Sequence, residues 1–114
     1  MIAVRAAESK QARDIVVLDV RDATSFADYF LICNGANSRQ IQAIADEIAQ
    51  QLKAHGERAL SIEGYSNSEW VLLDFGDFLV HVFSPKSRAY YDLERLWRDS
   101  RPVEWERDAV TSGK

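Results

Sequence analysis

The sequence predicts an α/β domain, a single-domain sandwich of helices on a mixed five-stranded sheet, and three observations carry that prediction. Residues 15–20 and 29–33 are apolar runs rich in β-branched and aromatic residues, as in strands buried on both faces. The stretch after them repeats apolar residues at helical spacing, so it serves as a crossover to another strand. Residues 70–74 and 77–83 then read as two strands of a hairpin around Phe75-Gly76. A crossover together with a hairpin makes the sheet mixed.

Each element follows from local chemistry. Residues 3–13 alternate small and charged residues and read as a short helix packed against the body. Residues 21–28 are a polar connection between the first two strands. Asn34-Gly35-Ala36-Asn37-Ser38 breaks the second strand, and Asn37 or Ser38 stands where a helix cap belongs. Ile41, Ile44, Ala45, Ile48, Ala49 and Leu52 make one apolar helix face, and Gly56 suits a left-handed C-terminal cap. Residues 60–63 alternate as a short strand. After the hairpin, Ser84-Pro85 opens a last helix whose apolar side is Ala89, Tyr90, Leu93, Leu96 and Trp97. The domain spans 1–98, and residues 99–114 read as a loosely held tail.

Composition narrows the function classes. The 114 residues fit one domain, and 46% hydrophobic with 28% charged residues is the balance of a globular protein. Lys and Arg number 14 against 18 Asp and Glu, a net charge of −4 that disfavours direct, sequence-specific nucleic-acid binding. A lone Cys33, no signal-peptide core and no apolar run near ~18 residues point to a cytoplasmic protein without a membrane partner.

Catalytic and cofactor chemistry has little support. Gly-x-Ser-x-Gly, His-x-x-x-His and Cys-x-x-Cys are all missing from the sequence, so neither a hydrolase elbow nor a metal site is expected. Cys33 sits inside an apolar strand and reads as a buried, inert thiol. His55, just before Gly56, reads as a helix-end residue facing the last carbonyls. The Asn34–Ser38 turn reads as a plain strand–helix junction, because it lacks the lysine of a P-loop and the glycines of a dinucleotide fingerprint. No cofactor is expected. Asp74 and Asp77 are the one close carboxylate pair with a plausible geometry. They read either as turn formers or as two acids facing each other at the hairpin tip.

Charge is distributed unevenly. No Lys or Arg lies between Arg58 and Lys86, whereas Glu63, Glu69, Asp74 and Asp77 do, so this segment holds the whole net charge of −4. A two-residue turn pairs Asp74 with Asp77, Leu72 with Leu79 and Trp70 with His81. One face of the hairpin is then Val71, Leu73, Phe78, Val80 and Val82, which must be core. The other is Trp70, Leu72, Asp74, Asp77, Leu79 and His81. Any even-length turn preserves that division. An aromatic anchor with leucines and a charged rim is how protein–protein hot spots are built, with Phe75 extending the contact at the turn. The competing reading buries Trp70 under a helix in a second core layer.

At these residues the chain resembles the ribosomal silencing factor family, also called RsfS or Iojap. The matching pieces include Asp14-Ile15-Val16-Val17-Leu18-Asp19-Val20, Asp28-Tyr29-Phe30-Leu31-Ile32, Ser38-Arg39-Gln40 and Ala43-Ile44-Ala45-Asp46. They continue through Glu63-Gly64, the stretch Trp70-Val71-Leu72-Leu73-Asp74-Phe75-Gly76-Asp77, Val80-His81-Val82-Phe83, and Tyr91-Asp92-Leu93-Glu94-Arg95-Leu96-Trp97. The resemblance implies binding to large-subunit ribosomal protein number fourteen and steric blocking of small-subunit joining, which lowers translation when nutrients are short. It also implies a nucleotidyltransferase-like topology without that class's catalytic acids, which stand one residue apart on a strand; Asp74 and Asp77 are three apart. Trp70 and the acidic hairpin tip match the part of the family's motif associated with the ribosomal-protein contact. Together with the face read above, the expected partner-binding residues are Trp70, Leu72, Asp74, Phe75, Asp77, Leu79 and His81, in a monomer or homodimer. A degenerate nucleotidyltransferase using Asp74 and Asp77 with Mg²⁺ is the alternative.

Overall fold

The fold is built on a central parallel pair of strands. It is seen in a computed structural model that describes residues 2–97 and 100–103. Helix α1 (Ile2–Ser9) leads into β1 (Arg13–Asp19) and β2 (Tyr29–Asn34), followed by the long α2 (Ser38–Ala54). Then come β3 (Ser61–Glu63), β4 (Trp70–Asp74), β5 (Phe78–Phe83), α3 (Pro85–Tyr91), α4 (Leu93–Leu96) and β6 (Arg101–Pro102). The sheet order is β3-β4-β5-β2-β1-β6. Among the described strands only β2 and β5 run parallel, which is why α2 must cross over between them.

Five strands match the expected sheet, and β6 is a two-residue addition at the β1 edge. The tail expected from residue 99 thus returns to the sheet, where the Val103 amide donates to the Val17 carbonyl at 2.7 Å. The expectation of a loose tail over residues 104–114 lies outside the described residues.

Two cores flank the sheet. On one face α1 and α2 bury Val4, Ile41, Ile44 and Ile48 against Val17, Leu31, Val71, Leu73, Val80 and Val82. Cys33 is fully buried there, and burial pushes its thiol up to about 12, so it is held as an unreactive thiol. Helix α2 begins where its sequence demands: Asn37 Oδ1 accepts from the Gln40 amide at 2.9 Å. It ends in a paired cap, with Gly56 (φ 89°) donating to Lys53 and Glu57 to Leu52. His55 stays at this helix end, its Nδ1 2.9 Å from the Gln51 carbonyl.

On the second face Leu18, Phe30, Ile32, Phe83 and Leu93 form a smaller core, with Trp97 packed against it. The last helix departs from expectation. Asp92 adopts a left-handed conformation (φ 49°), ends α3 and restarts the chain as α4. This break turns Ala89, Tyr90 and Leu96 outward, Tyr90 and Leu96 being 80% and 71% exposed, so only Leu93 of that side is buried and Trp97 is half-buried. Arg88 secures α3 from below, donating to Asn34 Oδ1 at 3.1 Å and to Glu94 at the start of α4.

Candidate partner-binding surface

The hairpin that carries the candidate site is registered one residue later at its turn than a Phe75-Gly76 turn would give. Phe75 donates to Phe78 at 3.0 Å, so Gly76-Asp77 is the two-residue turn. Gly76 has φ 90° whereas Asp77 is not left-handed, the pattern of a turn that takes glycine first. The ladder accordingly pairs Asp74 with Leu79, Leu72 with His81 and Trp70 with Phe83. Asp74 and Asp77 therefore do not face each other, and Trp70 is not opposite His81. The division of faces survives, because the pairing shifts by two residues and preserves side-chain parity.

Partners across a ladder share a face, so the registers define rows on the second face. One row runs Glu63, Leu72, His81, Ile32; the next runs Ser61, Asp74, Leu79, Phe30. The edge and middle of both rows are open and their centre is covered: Glu63 is exposed, Ser61, Leu72, Asp74 and Leu79 are half-buried, and His81 and Phe30 are buried. The second face is thus covered over β2 and β1 and open over β3 and β4. Asp77 is exposed at the tip beside this open half.

Trp70 belongs to both halves. Its ring lies 5.0 Å from Phe83 and 4.7 Å from Tyr91, and its indole N–H donates to His81 Nδ1 at 3.1 Å. It is half-buried, part of the second core and part of the open surface at once. Sequence reasoning missed Tyr91, since strand parity carries no signal for a residue at a helix end; Tyr90, 5.0 Å beyond it, continues the aromatic line into solvent.

Two of the expected contact residues are interior. His81 is 4% exposed, with Phe30 5.0 Å away and Phe83 6.1 Å away; burial among these rings pushes its pKa down to about 4. Phe75 is 7% exposed, stacked on Phe78 at 4.9 Å and part of the first core, because it continues the alternation of Val71 and Leu73 on that face of the sheet. Neither side chain extends an exposed contact.

The acids divide by task. Asp74 Oδ1 accepts from the Gly76 amide at 2.8 Å, which makes it a turn-forming residue with one oxygen engaged. Glu69 accepts from Ser84 Oγ at 2.8 Å and Ser87 Oγ at 3.1 Å, tying β4 to the start of α3, and these bonds hold its carboxyl below the usual range. Glu63 and Asp77 are exposed.

The Asn34–Ser38 junction is satisfied from within the chain. Gly35 donates to Phe83, Ala36 to Gln40 Oε1 and Gln40 to Asn37. Among the described residues no group of three or more His, Cys, Asp or Glu is arranged to hold a metal ion, and no helix is long and apolar enough to cross a membrane.

Comparison with known proteins agrees with this architecture. A family described as ribosomal silencing factor during starvation matches residues 1–114. Ribosomal silencing factor RsfS of Halalkalibacterium halodurans is 44% identical over 105 residues, covering 92% of this chain and 90% of that one. The mouse protein named mitochondrial assembly of ribosomal large subunit protein 1 is 33% identical over 91 residues, 77% of this chain and 40% of its own length. A crystal structure of a Chromobacterium violaceum protein superposes with a TM-score of 0.84 at 34% identity, covering 99% of this chain and 93% of that one. By the extent of these matches, this chain belongs to the ribosomal silencing factor family.

Proposed function

We propose that this protein is a translational repressor that binds the large ribosomal subunit through ribosomal protein number fourteen and sterically blocks joining of the small subunit. One observation carries the reading: the open half of the second face sets half-buried Trp70, Leu72 and Leu79 beside Asp74 and exposed Asp77, in a stretch without Lys or Arg from 59 to 85. An apolar centre with an acidic rim fits a basic protein surface such as a ribosomal protein offers. His81 supports this surface from beneath, while Phe75 belongs to the core on the other face of the sheet. The names of relatives, silencing factors and a large-subunit assembly protein, support a ribosomal partner, and this reading places the protein in the cytoplasm.

The action is occlusion, with no reaction catalysed. Asp74 accepts from the amide of its own turn, and it pairs across the ladder with Leu79 while Asp77 lies in the turn, so the two acids are not paired. Sedimentation of ribosomal subunits through sucrose gradients with added protein tests the reading. Comigration with large subunits and loss of joined ribosomes are expected; full joining at saturating protein refutes it. Calorimetry with a nucleoside triphosphate and Mg²⁺ tests the enzymatic alternative: saturable binding abolished by Asp77→Asn would overturn the non-catalytic reading.

A further inference from the structure

We infer that His81 is a positioning residue for partner binding: buried beneath the surface, it fixes the indole of Trp70 in the orientation presented to the partner. The inference rests on the reading of this face given above. Among the described residues three rings lie against that of Trp70, those of Phe83, Tyr91 and His81. Phe83 and Tyr91 contact it face-on or tilted, at 5.0 and 4.7 Å, and such contacts tolerate rotation of the indole in its own plane. The hydrogen bond from Trp70 Nε1 to His81 Nδ1, at 3.1 Å, is directional and selects one edge of the ring.

His81 is itself held by its surroundings. It is 4% exposed, with Phe30 edge-on at 5.0 Å and Phe83 parallel at 6.1 Å. An acceptor at Nδ1 requires the neutral ring with its proton on Nε2. That Nε2 is buried and has no hydrogen-bond partner among the described residues. A phenylalanine would fill this space without burying an unsatisfied N–H. What phenylalanine does not supply is an acceptor for the indole. The polar chemistry of His81 is therefore directed at Trp70 alone.

Two substitutions separate positioning from packing. His81→Phe keeps a ring and removes the acceptor; His81→Asn leaves a void and keeps an acceptor near the Nδ1 position. The measurements are affinity for purified large ribosomal subunits, thermal melting, and the indole N–H resonance of Trp70, assigned with Trp70→Phe. We expect His81→Phe to melt close to wild type, to shift the indole resonance upfield and to bind about tenfold more weakly, a loss of about 1.4 kcal/mol. His81→Asn is expected to melt lower while keeping the resonance and the affinity within about threefold. Wild-type affinity in His81→Phe, or affinity that follows melting temperature in both variants, overturns the inference. Trp70→Ala, measured alongside, distinguishes the failures: if it binds as wild type, the reading of this face falls and the positioning role with it. If it loses binding while His81→Phe retains it, only the positioning role falls.

Discussion

Acidification should destabilise this protein through His81 by a calculable amount. In the unfolded chain the imidazole titrates near its ordinary 6.5; in the folded protein, burial beneath Trp70 lowers it to about 4. Above 6.5 both states are neutral there and the folded protein has its full stability. As pH falls from 6.5 towards 4, the unfolded chain takes up a proton that the folded one refuses, so stability falls. Below about 4 both states are protonated and the loss levels off. At about 1.4 kcal/mol per pH unit, the interval amounts to about 3 kcal/mol, a large share of a typical domain's stability. Carboxylates such as Glu69, whose pKa is lowered by Ser84 and Ser87, lose stability in acid as well, so the His81 share needs a difference measurement. Urea unfolding of the wild type and His81→Phe at several pH values from 7.5 to 4 isolates it. The wild type should lose about 3 kcal/mol relative to the variant across that range. Parallel curves would refute both the burial argument and the assignment of a neutral acceptor at Nδ1.

Further outcomes follow from the same geometry. Trp70→Ala should lose about 2–3 kcal/mol of stability, since it removes two ring contacts and leaves His81 Nδ1 unpaired, and it should weaken large-subunit binding by about thirtyfold or more. Association with large subunits should slow as salt rises while dissociation changes little, because screening acts on the acidic rim and not on the leucines; a salt-independent association rate, measured by stopped flow, would count against the charged rim. A Cβ at Gly64 (φ 78°) would clash with the Trp70 carbonyl oxygen, whereas at Gly56 (φ 89°) it meets nothing within 4 Å among the described residues. Gly64→Ala should therefore lower the urea midpoint clearly more than Gly56→Ala, by about 2 kcal/mol or more in stability against about 1. Equal effects would mean that conformational strain alone is felt.

Much of the fold was legible because its signals are local. The bounds of β4, the caps at Asn37 and Ser84 and the termination at Gly56 each depend on a few adjacent residues. The two faces of the hairpin were legible for a sturdier reason: parity survives a slip of the turn from Phe75-Gly76 to Gly76-Asp77. What stayed hidden depends on what lies across. Nothing in the spacing of Ala89, Tyr90, Leu93 and Leu96 signals that Asp92 turns left-handed and splits the helix. Likewise a hairpin read alone presents His81 and Trp70 as equals on one face. Only the addition of β2 and the second core buries the one and leaves the other half open.

The parallel pairing of β2 with β5 also dictates when the proposed binding surface comes into being. Tyr29 meets Phe78 and Asn34 meets Phe83, partners about fifty residues apart along the chain. The β4–β5 hairpin closes locally, but the aromatic floor under its second face includes Phe30 from β2 and the helices that follow β5. A chain emerging from the ribosome therefore holds the first strands for some time without their central neighbour. The proposed partner surface is assembled only after residue 83 and the α3–α4 segment are free to fold back. Folding delay and binding competence are thus linked through one strand pair, and a chain stalled before β5 would carry Phe30 uncovered and no docking face at all.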